Sequence, residues 1–189
     1  NGLLGAKRIL LVGLGKKEEL TVEVIRQVAA VSFGAVKSTT AKSVATILPA
    51  VHVHDFDVRE ITHAMTEGIF LAFYTFGRYK KEKKEVIRTF DFLVPDGRDL
   101  LAAKKGFYTG KLYASATMHA RDLVNTPGLH MSPFDLVSAA KNICKGKKQI
   151  RFRVFDQAKL ERMNAGGIVG VAKGSDHPPF LVHMTYVPN

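Results

Sequence analysis

The chain has 189 residues, is 46% hydrophobic and 24% charged, carries a net charge of +11 and contains one cysteine. That length fits one large domain or two small ones with a real core. No apolar run reaches the ~18 residues that a membrane span needs. The lone Cys144 can close no intrachain disulfide, and without a cysteine cluster there is no structural zinc site of the usual kind.

The positive excess is spread over both halves of the chain. It favours solubility and weak attraction to polyanions, but it does not specify a nucleic-acid site. The chain opens at Asn1 without Met and shows no basic–apolar–small signal pattern, so a start inside a longer protein is expected. A single cysteine suits a reducing compartment.

Taken in order, Lys7-Arg-Ile-Leu-Leu-Val-Gly13 reads as a short buried strand, with Gly13-Leu-Gly15 as the turn after it. Leu20, Val24, Val28, Val31 and Ala35 then recur at helical spacing, predicting an amphipathic helix from about Glu18 to Lys37. Ser43 to Leu48 is a second aliphatic strand, stopped by Pro49. Strand, helix, strand predicts a crossover unit and a largely parallel sheet.

Asp57-Val-Arg-Glu60 fits a capping box with Asp in place of Ser or Thr. Behind it Ile61, Met65, Gly68, Ile69 and Ala72 share one helical face, and Gly68 and Ala72 would let a neighbour come close. Lys80 to Glu85 is a charge run, read as a solvated loop or as a polyanion contact. Ile87 to Val94 alternates, with Phe90, Phe92 and Val94 on the apolar face of a third strand. From Leu100 to Val124 there is no proline, which predicts a long helix of about 30 Å. Gly106 and Gly110 each weaken such a helix by roughly 1 kcal/mol relative to Ala, so it needs packing to hold.

Pro127 ends that helix and Gly128 turns the chain. Ser132-Pro133 starts another, with Ser132 as N-cap and Asp135 near the positive helix end. Gly146 is a C-terminal cap, and Ile150 to Phe155 alternates as a half-exposed strand. Asp156 caps a short helix holding Leu160 and Met163, Gly166 to Ala172 is glycine-rich, and Phe180 to Val187 is the last strand.

Several stretches invite a chemical reading. Gly13-x-Gly15 follows a strand, but a dinucleotide fingerprint needs a third glycine where Glu18 stands, which favours an ordinary turn. His52, His54 and Asp57 are ligand types at alternating spacing, but they sit between Pro49 and a helix cap, where a solvated loop fits better. Lys173 and Asp176 lie in a turn closed by Pro178-Pro179, and His177 and His183 lack partners at metal-ligand spacing. Cys144 falls within a helix and reads as packing. No catalytic constellation assembles from these residues, and none is expected to bind metal or cofactor.

Four stretches carry a family resemblance. They are Arg8 to Leu20 (RILLVGLGKKEEL), Glu67 to Lys80 (EGIFLAFYTFGRYK), Ala120 to Pro127 (ARDLVNTP) and Gly167 to Leu181 (GIVGVAKGSDHPPFL). In this order they resemble the cytosolic leucyl aminopeptidases, a two-metal, hexameric family. The resemblance implies that residues 1–100 are the later part of an amino-terminal macro-like α/β domain. Residues 101–124 would be an interdomain helix, and 125–189 the incomplete start of a catalytic α/β domain.

The fold expected is therefore α/β: a macro-like mixed, mostly parallel sheet with flanking helices, a long linking helix and the opening of a second α/β domain. The resemblance further implies peptide substrates, two divalent ions (Zn or Mn), a homo-hexamer and a cytoplasmic setting for the parent protein. The family's metal ligands lie downstream of the strand matching Phe180–Tyr186, so none is carried onto this chain. The competing expectation is a basic macro-like module holding nucleic acid or another polyanion. Against it, no phosphate loop is visible and no aromatics interleave with the basic runs.

Overall fold

The computed structural model describes residues 5–49, 56–81 and 87–188. The chain divides into two compact units, residues 1–121 and 122–189.

The first unit is built around α2 (Val58–Phe73), with α1 (Val22–Lys37) and α3 (Leu100–Asn125) against it. Asp57 caps α2 by accepting from the Arg59 amide at 3.0 Å. Thr21 caps α1 by accepting from the Val24 amide at 3.2 Å. A short 3-10 turn, Lys17–Glu19, precedes α1. Another, Gly97–Asp99, leads into α3, with Asp96 accepting from the Arg98 amide at 2.8 Å.

Close approach between these helices depends on glycine. A Cβ on Gly68 would lie 2.3 Å from the Arg26 carbonyl oxygen of α1. One on Gly106 would lie 2.3 Å from the Arg59 carbonyl oxygen, and one on Gly110 2.5 Å from that of His63. Facing them, Thr62 and Thr66 are buried and turn their hydroxyls onto the carbonyls four residues back, each at 2.7 Å. This satisfies both hydroxyls without an external partner. The predicted closeness at Gly68 holds, and Gly106 and Gly110 are places where the α3 backbone meets the α2 backbone.

The buried line of α1 is Ile25, Ala29 and Phe33. Of the predicted line, Leu20 is buried and Val24 packs against the core, while Val31 is 70% exposed.

Strands β1 (Ser43–Ile47) and β2 (Thr89–Leu93) pair in parallel, with Ser43 opposite Thr89 and Ile47 opposite Leu93. The crossover between them contains α2, so the βαβ unit is β1–α2–β2. Phe90, Phe92 and Val94 pack toward the core as their alternation predicts. The Phe33 ring meets Phe73 at 4.2 Å and Phe90 at 5.2 Å between centroids.

The predicted strand at Lys7–Gly13 does not form. The segment carries no ladder, and Ile9 and Leu11 are 65% and 89% exposed. A strand is stabilised by a neighbour that takes its N–H and C=O groups, and among the described residues none pairs with this one. No hydrogen-bonded turn forms at Gly13–Gly15 either, although Gly15 takes the left-handed φ of +81°.

In the second unit, Ser132 caps α4 (Pro133–Cys144) in a full capping box. The Asp135 amide donates to Ser132 Oγ at 3.4 Å, and the Ser132 amide donates to Asp135 Oδ2 at 2.8 Å. Gly146, at φ +75°, follows the helix as its composition predicts. Strands β3 (Ile150–Phe155) and β4 (Leu181–Tyr186) pair antiparallel, with Ile150 opposite Tyr186. Asp156 caps α5 (Gln157–Arg162), where Leu160 is fully buried, while Met163 falls just past the helix and is exposed. The glycine-rich stretch forms a helix, α6 (Gly166–Ala172).

Candidate functional site

An open concavity of about 300 Å³ in the second unit lies between α5 and the turn that follows α6. Gln157 and Glu161 line it from α5, and Lys173, Ser175, Asp176 and His177 from the turn, together with Pro178 and Pro179. Two short-range bonds shape it. Gln157 Nε2 donates to Glu161 Oε1 at 2.9 Å, and the His177 amide donates to Ser175 Oγ at 3.1 Å.

The cleft holds Lys173, Asp176 and His177, which the sequence already sets side by side in one turn. It adds Gln157 and Glu161, which sequence reading missed. Their one sequence signal is the i, i+4 spacing that lets Gln157 and Glu161 meet on a helix face. The polar side chains of this cleft are exposed. Water therefore screens them, and no desolvated acid, base or nucleophile is held there.

The other candidates lie apart. Asp57 is spent on capping α2, while His52 and His54 lie outside the described residues. His183 stands on exposed β4, with its Nε2 3.2 Å from Thr185 Oγ1. Cys144 is buried on α4, with Sγ 3.4 Å from Met184 Sδ, a packing contact between two soft sulfur atoms. Among the described residues, no three His, Cys, Asp or Glu side chains converge where one metal ion could be held. Among the described residues no donor set for a metal pair comes together, and no chemical step is assigned through one.

A second polar group, also missed, lies in the first unit. Arg26 Nε donates to Glu67 Oε2 at 2.9 Å, and Arg26 also pairs with Glu23 on its own helix. His63 Nε2 is buried without a hydrogen bond, 3.8 Å from the same Glu67 oxygen, and its ring lies 5.1 Å from that of Tyr113. The cluster ties α1 to α2.

Two family models match the chain in sequence order. The amino-terminal domain of the cytosol aminopeptidase family matches residues 1–83, and the catalytic domain of that family matches residues 118–189. The chain belongs to the cytosol aminopeptidase family.

Relatives named probable cytosol aminopeptidase bear this out along nearly the whole length. The one from Clostridium perfringens is 33% identical over 94% of this chain and 36% of its own. That from Geobacter sp. strain M21 is 32% identical over 98% of this chain and 37% of its own. That from Sulfurihydrogenibium sp. is 28% identical over 99% and 37%. The chain therefore spans little more than a third of the length of the curated relatives it matches. Among solved structures, the bottromycin maturation enzyme BotP in complex with Mn superposes with a TM-score of 0.79 at 26% identity, over 94% of this chain and 36% of that one. This likeness agrees with the α/β fold expected from the sequence. Among the described residues no helix is long and apolar enough to cross a membrane.

Proposed function

We propose that these 189 residues are the amino-terminal part of a metal-dependent leucyl aminopeptidase, which removes amino-terminal residues from peptides. In this reading residues 1–100 form the later part of the macro-like amino-terminal domain. Residues 101–124 are the interdomain helix, and 125–189 open the catalytic domain. The parent protein is a cytoplasmic homo-hexamer holding two divalent ions, Zn or Mn.

The observation that carries the reading is that both domain models of one family match this chain in order, while relatives extend well beyond it. Metal ions in such an enzyme would activate water and polarise the scissile carbonyl. The residues of this chain supply no ligand for that step. Their contribution is structural: the helical layer around α2, and the first strands and helices on which a catalytic sheet is built.

The test has two arms. The purified 189-residue chain, supplied with Mn or Zn, should not hydrolyse leucine amide. The intact mass of the native gene product should be far above 20.8 kDa, and that product should hydrolyse leucine amide until a chelator removes its metal. Turnover by the 189-residue chain alone overturns the reading, and so does a native product of 20.8 kDa.

A further inference from the structure

The face of α3 opposite its buried glycine stripe has a composition that the packing of the first unit does not use. Ala103, Gly106, Gly110 and Ala114 are the buried residues of α3. On the other side Leu101, Tyr108 and Leu112 are 65%, 67% and 65% exposed. At about 100° per residue these three fall within roughly 40° of one line along the helix. Lys104 and Lys111 flank that line on one side and Lys105 on the other, and all three lysines are exposed. From Leu100 to Arg121 the helix carries no Asp or Glu.

Three large apolar side chains in a row are more than the scattered single exposures usual on a surface. The line is narrow and follows the near-heptad spacing by which one helix packs along another. A helix lying in a lipid interface presents a wider apolar sector. The flanking charges choose the partner's sign. Lysines beside an apolar seam pair with acidic residues on the facing helix and repel basic ones. A second copy would set these lysines against lysines, so self-association along this seam is opposed.

We propose that the outer face of α3 is a docking surface for an acidic amphipathic helix of a partner protein. Leu101, Tyr108 and Leu112 pack against the partner's apolar seam, and Lys104, Lys105 and Lys111 pair with its carboxylates.

The probe is a labelled three-heptad peptide with Leu at the seam positions and Glu on both flanks, compared with the same peptide carrying Lys on the flanks. Fluorescence anisotropy with the whole 189-residue chain should show binding of the acidic peptide only, weakening as salt rises. A Leu101→Ser, Tyr108→Ser, Leu112→Ser variant should bind at least tenfold more weakly. A Lys104→Glu, Lys105→Glu, Lys111→Glu variant should reverse the preference and take the lysine peptide, a result that loss of folding could not produce. The proposal is overturned by wild-type binding that both variants retain, or by no binding of the acidic peptide. It is equally overturned by preference for phosphatidylserine vesicles over the peptide, or by self-association that the serine variant abolishes.

Discussion

In the first unit, Ile61 and Ala64 of α2 are fully buried, and Ile25, Phe33, Met65 and Ile69 are nearly so. In the second, Leu160 is fully buried and Val137 and Cys144 nearly so, while Leu129 and Val171 are 89% and 85% exposed. Phe134, Met163, Met184 and Tyr186 are exposed as well. Both units form their elements with good local signals, including caps, alternation and turn glycines. They differ in what those elements are packed against. The first has a helix with neighbours on two sides. The second has a two-stranded sheet and short helices that leave much of their apolar surface in water. Local sequence can specify an element, but burial is supplied by the elements around it.

The largest expected effect tests that contrast directly. Ile61→Ala should destabilise the first unit by about 2–5 kcal/mol, because it removes a fully buried side chain and leaves a cavity. Leu129→Ala, at a residue 89% exposed, should change stability by less than about 0.5 kcal/mol. Because the chain has two units, a single melting curve would blend them. Amide hydrogen exchange read on separate peptides resolves each. Ile61→Ala should raise exchange in α1 and α2, and a loss confined to residues 122–189 would show that Ile61 is not central to the first unit's core.

How much of this could be read beforehand follows the same division. The start of α4 was legible because Ser132, Pro133 and Asp135 act within one turn, and its end because Gly146 stands where a left-handed residue is required. Strands β2 and β3 were legible from alternation. The segment Lys7–Gly13 was not, since its aliphatic run is equally that of a strand and of an unpaired stretch, and only a neighbour decides. The crossover was expected one strand too early for that reason. Helix α6 was hidden behind Gly166, Gly167 and Gly170, which lower helix propensity and left the stretch with no element assigned. The cleft beside α5 was hidden because Gln157 and Glu161 lie 12 or more residues from Lys173, Asp176 and His177, and only folding brings them together.

A smaller effect separates two kinds of helical glycine. Gly106→Ala should destabilise by about 1–3 kcal/mol, since its new methyl would meet the Arg59 carbonyl oxygen at 2.3 Å and α2 and α3 would have to part. Gly170→Ala in α6 meets nothing within 4 Å and should stabilise by up to about 1 kcal/mol through helix propensity alone. The two substitutions are chemically identical, so opposite signs in unit-resolved exchange would assign the difference to packing. Equal signs would mean that α2 and α3 do not approach as closely as the glycine contacts require.

The smallest effect concerns Ser132. It closes a reciprocal pair: its hydroxyl takes the Asp135 amide, while the Asp135 carboxylate takes the Ser132 amide. Ser132→Ala removes both bonds of the hydroxyl, the one it accepts from the Asp135 amide and the one of 2.6 Å it donates to Asp135 Oδ2, leaves the Ser132 amide bond, and should cost about 1 kcal/mol. Where that loss is felt depends on how the second unit is held. If α4 stands mainly on its own caps, exchange should rise over Pro133–Val137 and leave β3 and β4 almost unchanged. If α4 and the sheet open together, the same 1 kcal/mol should appear equally along β3 and β4, because a cooperative unit shares its opening free energy. The sparse burial in this unit favours the first outcome: with few apolar contacts joining its elements, a broken cap should loosen only the turn it closes.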